Sequence, residues 1–166
     1  MCSSDLGFFL KFFEIPAGRL QGTGWSQLTV QSTPVAGNAA VETAIEQFDL
    51  QDAGSLLWGY DEGWQEAEFN QTLGVWRWTS DRSTLRVVGA PQTIRLTLKI
   101  ESPLRYFTEA PVVHARAGSA ELASTTVTGD RDWTFEVPAS ALAASAGGIT
   151  IDTDKTLDRK STRLNS

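Results

Sequence analysis

Nine residues constrain this chain more than any others. In Gln92–Ile100 (QTIRLTLKI), Ile94, Leu96, Leu98 and Ile100 fall on one parity, and Thr93, Arg95, Thr97 and Lys99 fall on the other. A period of two places the apolar set on one side of a strand and the polar set in water, the pattern of an antiparallel sheet with one buried face. Similar short segments recur about every ten residues, separated by Gly, Pro and Asp. They are Ser55–Tyr60, Val75–Ser80, Ser83–Val88, Pro111–Ala117, Ala120–Val127, Asp132–Val137 and Ile149–Thr153. Gly118-Ser119 supplies a hairpin turn between two of them. The sequence therefore predicts an all-β fold, an antiparallel β-sandwich of jelly-roll-like character. One exception interrupts it: Pro138–Ser145 (PASALAAS) opens on a helix-starting proline and runs out at Gly147-Gly148, which predicts a short helix near 138–146 acting as a crossover.

The first fifty residues carry weaker signals. Phe8, Phe9, Phe12 and Phe13 read as an edge strand in preference to a docking face. Trp25–Ser32 alternates Leu28 and Val30 with glutamines and Thr29, a half-buried strand. Val41–Leu50 reads as a strand with an irregular end, a helix being the alternative. Asp61–Asn70, rich in acids, reads as a loop or short irregular arm, and Asn70–Gly74 as a turn.

Both ends look foreign to the domain. Met1–Leu6 (MCSSDL) and Asp158–Ser166 (DRKSTRLNS) are what the two strands of one sequencing-adapter stretch encode, since GATCGGAAGAGC reads Asp-Arg-Lys-Ser and its complement reads Cys-Ser-Ser-Asp-Leu. The expectation is a single module over residues 7–157, truncated at its C-terminus, with adapter translation at 1–6 and 158–166.

Composition excludes several classes of function. Cys2 is the only cysteine and lies in the foreign head, so disulfides, thiolate metal sites and a cysteine nucleophile are absent from the module. The net charge is −6 over 166 residues. It becomes −7 without the ends, which together carry three basic residues against Asp5 and Asp158. The acids crowd into residues 7–70, where only Lys11 and Arg19 oppose them. Such a chain is a poor ligand for nucleic acid or an anionic membrane surface. No apolar run approaches the roughly 18 residues of a membrane span. His114 stands on a strand without further histidines or cysteines, so no metal site is expected. No nucleophile elbow or phosphate loop is present either, and no cofactor is implied.

The candidate site is the stretch Leu56–Val88. It holds four of the chain's six tryptophans, Trp58, Trp64, Trp76 and Trp78, together with Tyr60, Asp61, Glu62, Glu66, Glu68 and Arg77. Aromatic faces beside carboxylates suit a sugar site, where rings stack on pyranose faces. A glycosidase would need two carboxylates roughly 5–10 Å apart, which spacing in sequence does not establish. The competing reading makes the tryptophans core and the acids a solvated loop. Trp76 and Trp78 share one strand face and Arg77 takes the other, and core filling is preferred for the two indoles. Arg77, Arg82, Arg86, Arg95 and Arg105 are expected to pair across strands with Asp81, Glu101 and Glu109.

Five segments taken in order also carry a resemblance: EIPAGRLQGTGW (14–25), EQFDLQ (46–51), GWQEAEFN (63–70), WRWTSDRSTLRV (76–87) and ESPLRYF (101–107). Over nearly all of residues 11–157 the chain resembles the soluble C-terminal part of bacterial membrane-embedded glycosyltransferases of the protein-mannosyltransferase-like class. The resemblance implies an extracytoplasmic β-sandwich, tethered to a membrane domain that carries the catalytic acids, and assigns no catalytic residue to this fragment. Its implied role is accessory, docking or guiding glycan and acceptor. The alternatives are a carbohydrate-binding module using the surface tryptophans and, further off, a glycosidase using the acidic loop.

Overall fold

The computed structural model describes residues 10–16, 18–20, 25–31, 33, 45, 48–52, 54–72 and 74–156. The chain divides into two compact units, Lys11–Asp52 and the remainder.

In the larger unit the described residues form β1 (Leu57–Tyr60), β2 (Trp64–Asn70), β3 (Gly74–Thr79), β4 (Arg82–Val88), β5 (Ile94–Ile100), β6 (Val112–Ala117), β7 (Ala120–Thr126), β8 (Arg131–Val137), α1 (Ala139–Ala144) and β9 (Gly148–Thr153). A 3-10 turn lies at Leu104–Tyr106. The strands make a five-stranded sheet in the order β1-β4-β9-β6-β7 and two-stranded sheets β5-β8 and β2-β3, all antiparallel. The fold is all-β and sandwich-like, as the alternation predicts.

The core lies where the inner rows of the sheets meet. Leu85 and Val87 of β4, Ile149 and Ile151 of β9, and Val113 and Ala115 of β6 are buried with Trp133, Phe135 and Val137 of β8. Ile94, Leu96, Leu98 and Ile100 pack against this cluster from β5, and the intervening Arg95, Thr97 and Lys99 are exposed. On the wet side of β5-β8, Arg95 stands opposite Glu136, Lys99 opposite Asp132, and the hydroxyls of Thr97 and Thr134 bond at 2.9 Å.

The predicted helix is α1, with Pro138 as its N-cap, and its buried Leu142 joins the core. It ends through the N–H of Gly147, which donates to Leu142 O at 2.7 Å. Gly147 (φ 78°) is obligatory there, because a Cβ would stand 2.0 Å from Val87 O.

Four sequence expectations are corrected. Asp61–Asn70 is not an irregular arm: after a turn it becomes β2, paired with β3 and bulged between Trp64 and Ala67. Glu66, Ala67, Phe69 and Asn70 are all exposed. Neither face is fully covered, so no apolar alternation marks the strand. Residues 25–31 form no strand although Leu28 and Val30 alternate, and no strand among the described residues pairs with them, while Ser32 lies outside the description. The phenylalanine block likewise gives no edge strand over residues 10–16, with Phe12 half-buried and Phe13 exposed, while Phe8 and Phe9 lie outside the described residues. In Val41–Leu50 the described residues, Ile45 and 48–50, are not in a strand, and the others lie outside the description.

The smaller unit has a turn in which Arg19 N–H donates to Pro16 O at 3.1 Å. None of its described residues is buried.

Candidate functional site

The turn Asp61-Glu62-Gly63 joins β1 to β2 and is laid directly on β4. Asp61 N–H donates to Thr84 O at 2.9 Å, Thr84 N–H to Glu62 O at 2.8 Å, and Ser80 N–H to Gly63 O at 2.9 Å. Ser83 Oγ adds a bond to Gly63 O at 2.7 Å, and Trp64 Nε1 donates to Thr84 O at 2.8 Å. Such close contact requires glycine at 63 (φ 84°), where a Cβ would fall 2.0 Å from Arg82 O.

Asp61 is buried, 6% exposed. Arg86 reaches its Oδ2 with Nε at 2.7 Å and Nη2 at 2.6 Å, and the N–H of Leu10 approaches Oδ1 at 3.4 Å. Arg86 Nη1 also donates to Ala146 O at 3.3 Å. Arg86 thus holds the Asp61 turn and the end of α1 together. A carboxylate committed in this way is a structural ion pair.

Around this joint the aromatics are grouped on Tyr60. Trp58 and Trp64 meet its ring edge-to-face, with centroids 5.6 and 5.0 Å away and planes at 70° in both cases. The Arg77 guanidinium lies 4.5 Å from the Tyr60 centroid, while its Nη1 donates to Gln65 O at 2.9 Å. Each aromatic contact contributes about 1 kcal/mol beyond area burial. Tyr60 and Trp64 are half-buried, and Trp58 at the sheet edge is 49% exposed. The rings form a ladder with one solvent-facing end.

Register separates the remaining candidates. Arg77 is opposite Ala67 on β3, whereas Trp76 is opposite Glu68 on the other face, which Trp78 shares by alternation. Both indoles are half-buried. Glu62 and Glu66 are exposed. The structure thus brings together Trp58, Tyr60, Trp64 and Arg77, ties Asp61 to the sheet, and sets Trp76, Trp78 and Glu68 apart.

Trp78 instead borders a cleft of about 120 Å³ with Gln65, Ile100, Glu101, Phe107 and Lys155. The sequence alone does not mark Glu101 and Phe107 as site residues, because their approach to Trp78 depends on how the segment after β5 turns. The expected ion pairs also differ. Arg86 takes Asp61, while Glu101 lies 3.7 Å from Lys99 and Glu109 3.3 Å from Lys155.

His114 Nδ1 is 3.3 Å from Glu121 Oε2, and Arg116 bridges Glu121 and Asp152. Among the described residues no three His, Cys, Asp or Glu side chains are grouped to hold a metal. Nor is any helix among them long and apolar enough to cross a membrane. No family model, curated protein or solved structure matches the chain.

Proposed function

We propose that this sandwich is a non-catalytic accessory module of a bacterial envelope glycosyltransferase-like protein, displayed outside the cytoplasm, where it guides glycan or acceptor. The observation that carries this reading is Trp58, a large aromatic left half in solvent on an edge strand and backed by Tyr60 and Trp64. An indole supported in this way offers an apolar face to a sugar ring without the entropy cost of ordering it. The arrangement of acids favours binding over hydrolysis. Asp61 is committed to Arg86, Glu62 and Glu66 lie in solvent, and the Trp78 cleft has a single carboxylate, Glu101. A glycosidase needs two acids facing one bond.

The same edge would serve a free-standing carbohydrate-binding module, so tethering distinguishes the two readings. Intrinsic tryptophan fluorescence, titrated with mannose-, glucose- and galactose-containing oligosaccharides, tests the shared part. A saturable change lost in Trp58→Ala supports glycan recognition. A flat response to every sugar overturns it.

A further inference from the structure

The β2-β3 hairpin carries aromatic residues on both faces, and the Tyr60 ladder uses only one. On the other, Trp78 lines the cleft of about 120 Å³ together with Gln65, Ile100, Glu101, Phe107 and Lys155. Two properties restrict what fits. The first is size: about 120 Å³ is well below the ~300–1,000 Å³ of pockets that enclose drug-sized molecules, which leaves room for one small ring to seat and none for a chain to be enclosed. The second is lining. Trp78 and Phe107 give flat apolar surface, while the Gln65 amide and the Glu101 carboxylate offer donor and acceptors. The Lys155 ammonium is held by Glu109, through O at 3.0 Å and Oε2 at 3.3 Å. Glu101 has Lys99 at 3.7 Å, so both charges of the lining already have partners within the protein, which favours a neutral, hydroxyl-rich ring over an ion.

We propose that this cleft binds a single neutral pyranose, the terminal residue of a glycan, at a site separate from the Trp58 edge. The ring lies against Trp78 and Phe107, and its hydroxyls donate to Glu101. This inference rests on the glycan reading above and adds a second position to it. The carboxylate acts as a hydrogen-bond acceptor, so no bond in the sugar is made or broken.

The test is an indole ¹H–¹⁵N spectrum of the full chain, titrated with methyl glycosides of mannose, glucose and galactose. Concentrations should reach roughly 50 mM, above the millimolar range of weak ring binding. The expected result is a saturable shift of the Trp78 indole for at least one glycoside. That shift should persist in Trp58→Ala and weaken about tenfold in Glu101→Ala, the loss of one hydrogen bond to a charged group. Glu101 is exposed, so its variant folds. A Trp78 signal that never moves, or one that Glu101→Ala leaves unchanged, overturns the cleft site. If Trp58 shifts while Trp78 stays still, the cleft fails and the edge reading stands; if neither moves, both fail.

Discussion

Arg86 grips one carboxylate oxygen of Asp61 with two nitrogens, at 2.6 and 2.7 Å, across 25 positions of sequence. The carboxylate is buried and the guanidinium about one-third exposed. This contact fixes the turn from which the β2-β3 hairpin leaves the large sheet.

Removing either partner leaves the other charge stranded, which is costlier than the pair is stabilising. Arg86→Ala is therefore expected to lower stability by about 2–3 kcal/mol. Asp61→Asn, which keeps an acceptor, should cost less. The double variant Asp61→Asn/Arg86→Ala should lose less stability than the two single losses added together. Urea unfolding of the four proteins measures the coupling, and additive losses would contradict a direct ion pair.

The glycines separate backbone conformation from contact. Gly63 and Gly74 have nearly equal positive φ, 84° and 81°, but only at Gly63 does an added Cβ meet backbone, Arg82 O; Gly74 has open space. Gly74→Ala should cost about 1 kcal/mol, the left-handed penalty alone. Gly63→Ala adds a clash and should exceed about 3 kcal/mol. Equal midpoints in a denaturant titration would refute the close docking of the turn.

Ala146 is the one described non-glycine residue with positive φ, at 51°. Ala146→Gly relieves that strain at the end of α1 and is expected to raise stability by about 0.5–1 kcal/mol. The Arg86 bond to Ala146 uses the backbone carbonyl and survives the change. A lowered melting temperature would count against the helix ending described here.

The two kinds of tryptophan should differ in what their loss affects. Trp133 is buried among Phe135 and the core, and Trp133→Ala should cost about 3–5 kcal/mol. Trp58→Ala removes a half-exposed ring and should cost about 1 kcal/mol, its contact with Tyr60, while abolishing any fluorescence response to sugars. A stability loss at Trp58 as large as at Trp133 would make the edge indole a core residue.

Legibility in the sequence followed burial. Where one face is covered the period of two is strict, as in β5 and β8, and the chain announces its strands. In β2, water reaches both faces, so strand and loop look alike until Ala67 and Phe69 find Arg77 and Val75 on β3. In residues 25–31 the pattern is present but no described strand pairs with it, so alternation alone misleads. The separation of Arg77 from Trp76 and Trp78 followed from parity in one strand. The Asp61–Arg86 pair did not, because it depends on a turn folding over a third strand. Phe107 follows a 3-10 turn at Leu104–Tyr106, which no pattern in the sequence marks.

The β5-β8 sheet has a direction of charge. Its β5 side presents Arg95 and Lys99, and its β8 side Glu136 and Asp132. Two copies of the domain meeting β5 to β5 about Thr97 would set Arg95 against Lys99, and meeting β8 to β8 about Thr134 would set Asp132 against Glu136. Like charges directly opposite each other oppose pairing. The cross-strand neutrality that settles this ribbon internally therefore makes each of its outer edges, unpaired among the described strands, repel its own twin.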